Sequence, residues 1–82
     1  MDRDQIRIAF FELIKRYVRT QGAVITESSL LVNDLKVNST RFVDIILETE
    51  DTFKISINDE EMDHFDRVGD AIDIICEKTV GV

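Results

Sequence analysis

Ser39 is the side chain most open to chemical use. It follows Asn38 where a polar stretch gives way to the apolar run Phe42, Val43, Ile45, Ile46 and Leu47. Asn and Ser are both helix-capping types, so by residue type alone Ser39 reads as an N-cap. Nucleophilic catalysis would need a base beside it, and the one histidine, His64, belongs to another segment with no partner to orient it. No catalytic activity of its own is expected. Asp59, Glu61 and Asp63 alternate as calcium ligands do, but His64 stands where the sharp turn of such a loop wants glycine, and Asp70 where a bidentate Glu belongs. A lone histidine and a single cysteine, Cys76, build no transition-metal site, so no metal is expected. Cys76 falls on an apolar stripe and reads as core packing.

The elements that position these residues follow from apolar spacing. Ile6, Phe10, Leu13, Ile14, Tyr17 and Val18 recur at helical intervals, which predicts a first helix from about Asp4 to Arg19, stopped by Gly22. Asp2 and Asp4 suit its positive end, and Arg16 and Arg19 its negative end. Residues 20–38 read as a long loop, part of whose Leu30, Leu31, Val32 and Leu35 must press onto a core. A second helix starts near Ser39. Its Phe42, Ile45, Ile46 and Thr49 share one face, leaving Val43 and Leu47 among Asp44, Glu48, Glu50 and Asp51 on the other. That second face has the look of a partner-binding surface. Lys54–Ile57 alternates like a strand but has no second strand to pair with, so it reads as an extended connector held by Phe53 and Ile57. Asn58 or Asp59 caps a short acidic helix through about His64. Asp66 is expected to cap a last helix striped by Val68, Ala71, Ile72, Ile75 and Cys76, and Thr79–Val82 to fray. The fold class is all-α: a small four-helix bundle with a long first loop and a short third helix, one domain over residues 1–82.

Composition agrees. In 82 residues there is no Pro or Trp and there are only three Gly, too few turn-formers for an all-β sandwich. The single cysteine and the charged start Met1-Asp2-Arg3-Asp4 suggest a reducing cytoplasm, and no apolar run approaches the ~20 residues that span a bilayer. The net charge of −7 is uneven: residues 1–26 carry five bases and three acids, and the remainder five bases and fourteen acids. The acidic part repels phosphate backbones and attracts basic protein surfaces, so nucleic acid is an unsuited partner.

Read from about residue 26 to residue 78, the chain resembles the acyl carrier proteins. That family places a serine at the start of its second helix, usually in Asp-Ser-Leu; here Asn38-Ser39-Thr40 stands there. The Asp-Leu-Gly element before it corresponds to Asp34-Leu35-Lys36, and a Phe follows fourteen positions after the serine, as Phe53 does. Phe53, Ile57, Asp59, Glu60 and Glu61 match the pattern Phe-x-x-x-Ile-x-Asp-Glu-Glu. Val68 and Ala71-Ile72-Asp73 match the last helix, and the spacing from Asp34 to Ile75 is ungapped.

The resemblance implies that a phosphopantetheinyl transferase esterifies Ser39 with 4′-phosphopantetheine from coenzyme A, and that the thiol of this arm carries acyl groups as thioesters. A serine at a helix start suits an attached phosphodiester, because unpaired N–H groups and the positive dipole end lie beside it. Partners would be acyl-transferring or synthase enzymes with basic docking surfaces, meeting Arg41, Val43, Asp44, Leu47, Glu48, Glu50, Asp51, Asp59 and Glu60. Phe42, Ile45, Ile46, Ile57, Ala71 and Ile72 are the candidates to line an acyl cavity. The carrier is expected to be a monomer that enters no membrane. Asn38 and Arg41 depart from the acids the family has there, and Thr40 from its leucine, which points to a specialised carrier with its own partner enzymes. The alternatives are a carrier of aminoacyl units, or an unmodified acidic adaptor that keeps the fold.

Overall fold

The computed structural model describes residues 2–18 and 24–80, the side chain of Val80 excepted. Four helices follow in order: α1 Arg3–Lys15, α2 Ser39–Phe53, α3 Asp59–Met62 and α4 Val68–Val80. The all-helical expectation holds. Among the described residues the one extended pairing is an antiparallel bridge between Leu30 and Arg67.

Asp2 starts α1 through a capping box. Its carboxylate accepts the Gln5 N–H at 2.9 Å, and the Gln5 side chain accepts the Asp2 N–H at 3.0 Å. The helix ends at Lys15, short of the expected Arg19. The Tyr17 and Val18 N–H groups both return to the Ile14 carbonyl, at 2.9 and 3.1 Å, which tightens the last turn. That turn still lays Tyr17 and Val18 on the core, so their spacing imitates a longer helix. Arg19 and Gly22, the expected stop, lie outside the described residues.

Asn38 caps α2 by accepting the Arg41 N–H at 2.8 Å. The helix closes at Lys54, whose left-handed backbone (φ 57°, ψ 48°) returns its N–H to the Glu50 carbonyl. Thr49 is buried on the inner face, and its hydroxyl donates to the Ile45 carbonyl at 2.6 Å, so burial leaves it satisfied. Phe53 and Ile57 anchor the connector as expected, both under 9% exposed. Asn58 caps α3 with a second capping box, to Glu61. That helix ends at Met62, and Asp63 and His64 form the turn after it.

The start of α4 corrects a second expectation. The Asp66 side chain does not cap it. The Val68 and Gly69 N–H groups donate instead to the carbonyls of Ser29 and Glu27, at 3.0 and 2.8 Å, while the Arg67 N–H goes to Asp70 Oδ2 at 3.2 Å. Asp66 contributes its backbone carbonyl, which accepts the Leu31 N–H at 3.0 Å. A Cβ on Gly69 would sit 3.1 Å from the Glu27 carbonyl oxygen, so glycine permits this approach. At its far end α4 continues through Thr79 and Val80, where fraying was expected, and Gly81 and Val82, the rest of that stretch, lie outside the described residues. The Thr79 hydroxyl donates to the Cys76 carbonyl at 3.2 Å.

The core joins Ile6, Phe10, Leu13 and Ile14 of α1 to Ile45, Ile46 and Phe53 of α2 and to Val68, Ala71, Ile72 and Ile75 of α4. Leu31, Leu35 and Val37 seal it from the long loop, and Phe65 from the α3–α4 segment. Each such Val, Leu, Ile or Phe side chain taken from water contributes ~1.5–3 kcal/mol. Across the outside, Arg3 staples three elements: its Nη2 lies 2.8 Å from Glu27 and 2.9 Å from Asp73.

Candidate functional site

Ser39 is the first residue of α2 and is exposed. Of the three amides in that first turn, Arg41's is taken by Asn38. The Ser39 and Thr40 N–H groups have no acceptor among the described residues. Two free donors and the positive helix end thus stand beside an accessible hydroxyl.

Next to it runs an open groove of about 540 Å³. One side is α2, through Asn38, Ser39, Phe42 and Val43. The end of α3 and the turn after it supply Met62, Asp63, Phe65 and Asp66, and the long loop supplies Val32 and Val37. Of the residues expected around an acyl cavity, Phe42 lines this groove. Ile45, Ile46, Ile57, Ala71 and Ile72 do not line it; they are packed in the core at 8% exposure or less. Phe65, Val37 and Met62 escaped the sequence reading. The signal available was Phe65 itself, a large aromatic between Asp63 and Asp66 directly after a helix end.

The outer face of α2 presents Val43 and Leu47, 47% and 58% exposed. Its acids divide into two groups. Asp51 is exposed and Asp44 half-buried, and Asp59 and Glu60 on α3 are exposed as well. Glu48 and Glu50 are engaged inside the molecule. Glu48 Oε2 lies 2.7 Å from Arg16 Nη2 in an ion pair that holds the end of α1 to α2, although the alignment is not that of a straight hydrogen bond. Burial first, and the Glu48 charge next, hold the Tyr17 phenol above its ordinary range. Glu50 Oε2 accepts the Ile57 N–H at 2.7 Å and so ties the connector to α2. Glu61 is likewise occupied: it accepts from Asn58 and lies 2.8 Å from Lys78 Nζ, which together hold its carboxyl below the usual range, the lysine foremost.

Two cations flank Ser39. Arg41 is half-buried in the first turn of α2, and exposed Lys36 holds a left-handed backbone, φ 57°, at the position where the resemblance has glycine. Cys76 is half-buried in α4, where burial pushes its thiol up and away from the reactive thiolate. Among the described residues, no three His, Cys, Asp or Glu side chains gather as metal ligands.

A small acidic helical bundle that offers one exposed hydroxyl beside an apolar groove has the build of a carrier domain. No protein-family model matches the chain. Individual relatives do. It is 35% identical over 75 residues to an acyl carrier protein of Coprothermobacter proteolyticus, a match covering 92% of each chain. It is 31% identical over 77 residues to the mitochondrial acyl carrier protein 3 of Arabidopsis thaliana, covering 94% of this chain and 59% of that one. An acyl carrier protein of Caulobacter vibrioides is 36% identical over 55 residues, 67% of this chain and 70% of its own. The chain belongs to the acyl carrier protein family, whose members are carriers and not enzymes. No helix among the described residues is long and apolar enough to cross a membrane.

Proposed function

We propose that this protein carries acyl intermediates on a 4′-phosphopantetheine arm attached to Ser39, for enzymes of fatty acid, lipid or polyketide synthesis. The observation that carries the reading is the exposed Ser39 hydroxyl at the start of α2, with two unpaired amides in the same turn and an apolar groove alongside. The residues present suit the group. The Ser39 and Thr40 N–H groups and the Arg41 and Lys36 cations favour a phosphodiester, and the groove offers apolar surface to what the arm bears. When bound, the arm supplies a thiol that holds acyl groups as thioesters. A phosphopantetheinyl transferase is the partner that installs it.

Docking follows from charge and exposure. Val43 and Leu47 supply apolar contact, and Asp44, Asp51, Asp59 and Glu60 supply negative charge for a basic surface, Asp51 with the exposed Lys54 ammonium 3.9 Å away. Arg41 and Lys36 set two cations close to Ser39 in the chain, with Asp63 and Asp66 across the groove, so a matching enzyme must meet both signs of charge there. That requirement favours dedicated partners over those of housekeeping synthesis. The protein would work in the cytoplasm as a monomer. Neutral hydroxylamine tests the carrier role on protein isolated from its own cells. It should release an acyl hydroxamate from the wild type and none from Ser39→Ala. An adaptor would yield no hydroxamate from either, and would bind its partners equally well with Ser39→Ala.

A further inference from the structure

The groove beside Ser39 does not lead into the core. Its inner wall is Val37, Phe42 and Phe65. Phe42 and Phe65 meet edge to face, with ring centroids 6.4 Å apart at 88°. Phe65 meets Phe10 in the same way, at 6.4 Å and 84°. Phe65 therefore packs on two rings at once, half-buried Phe42 at the groove and fully buried Phe10 in the core. Phe65 is 2% exposed and Phe10 fully buried, and behind them Ile45, Ala71 and Ile72 are fully buried as well. A chain entering from the groove would have to break ring contacts and move side chains out of a close-packed interior. Phe42 is the one ring of the three that is only half-buried, so it is the natural stop.

We infer that the Phe42–Phe65 pair closes the bundle to the acyl chain, so that cargo lies in the surface groove and is short. This rests on Ser39 being the point of attachment. The groove is open to solvent, so methylenes that run past its apolar wall extend into water and gain nothing. Short cargo, or one with polar groups along its chain, fits this arrangement, and a long saturated chain does not.

The test is made independent of any transferase. S39C is alkylated with a bromoacetyl spacer of the arm's length that ends in a butanoyl or a dodecanoyl amide. Melting temperatures of the two conjugates should agree within about 2 °C, because the extra methylenes stay in water. In S39C combined with Phe42→Ala the way inward is open, and the dodecanoyl conjugate should melt on the order of 10 °C above the butanoyl one. Phe42→Leu repeats the comparison with a smaller loss of packing. Methyl NMR of Ile45 and Ile72 supplies a second reading, with their signals unmoved by dodecanoyl unless Phe42 is replaced. A dodecanoyl-dependent rise in melting temperature with Phe42 intact, or none with it removed, overturns the inference. Failure of Ser39 to accept the natural arm would count against the carrier role and would leave these conjugate measurements readable.

Discussion

Replacing Glu50 separates two roles that an acidic helix face confounds. Its carboxylate accepts the Ile57 N–H at 2.7 Å across the α2–α3 connector, in a partly buried setting. A hydrogen bond to a charged acceptor contributes ~1.5–3 kcal/mol, and the lower half of that range applies here because Glu50 keeps some contact with water. Glu50→Ala leaves the Ile57 N–H without its acceptor and slightly favours the helix. A net loss of ~1.5–2 kcal/mol lowers the melting temperature of a domain this size by roughly 6–15 °C. Glu50→Gln keeps an acceptor oxygen without the charge, and a neutral bond of ~0.5–1.5 kcal/mol should retain about half of the stability. Both variants remove the same negative charge from α2. Thermal unfolding followed by circular dichroism, beside partner affinity, reads the difference. The expected pattern is a graded fall in stability, Ala below Gln, with partner affinity equal for the two folded variants. Unchanged melting for Glu50→Ala, together with a binding loss as large as that of Asp51→Ala, would refute the assignment and make Glu50 a docking residue.

Leu47→Lys should change stability by no more than ~0.5 kcal/mol, because the side chain is 58% exposed, yet weaken binding to a partner synthase at least about tenfold, as isothermal calorimetry would show. The Glu61 carboxyl is held down by Lys78 and by the Asn58 N–H. Its folded value lies below its unfolded one, so the stability it supplies is present above the ordinary value of 4.5 and is lost as pH falls through the depressed one. Melting temperatures taken from pH 6 down to pH 3 should therefore fall more steeply for the wild type than for Glu61→Gln. Lys36→Gly relieves a left-handed backbone at φ 57° and should stabilise by about 0.5–1 kcal/mol, visible as a higher urea midpoint at unchanged slope.

The helices that begin with a local cap were legible in the sequence. Asn38 and Asn58 cap through their own side chains within three residues, so residue type and spacing suffice to place α2 and α3. The start of α4 was not legible, because its first amides are satisfied by Glu27 and Ser29, some forty residues earlier in the chain. Nor was the end of α1, where Tyr17 and Val18 keep a helical apolar period inside a turn. The same limit governs the site. Spacing marks Ile45, Ile46, Ala71 and Ile72 as inward-facing, but periodicity does not say whether inward-facing residues surround a space or fill one. The groove is made by Val37, Met62 and Phe65, which only the tertiary fold brings beside Ser39. Glu48 and Glu50 likewise share a face with Asp44 and Asp51 in sequence, and only the packing of Arg16 and Ile57 reveals that they are engaged.

The central claim is that Ser39 bears the arm. Its most direct test is the intact mass of the purified protein before and after incubation with coenzyme A and a broad-specificity phosphopantetheinyl transferase, beside Ser39→Ala and the double variant Asn38→Asp/Arg41→Asp. The account requires a gain of one phosphopantetheine in the double variant, with the wild type gaining it at an equal or slower rate, and no gain in Ser39→Ala. No gain in the wild type or the double variant, or an equal gain in Ser39→Ala, would contradict it.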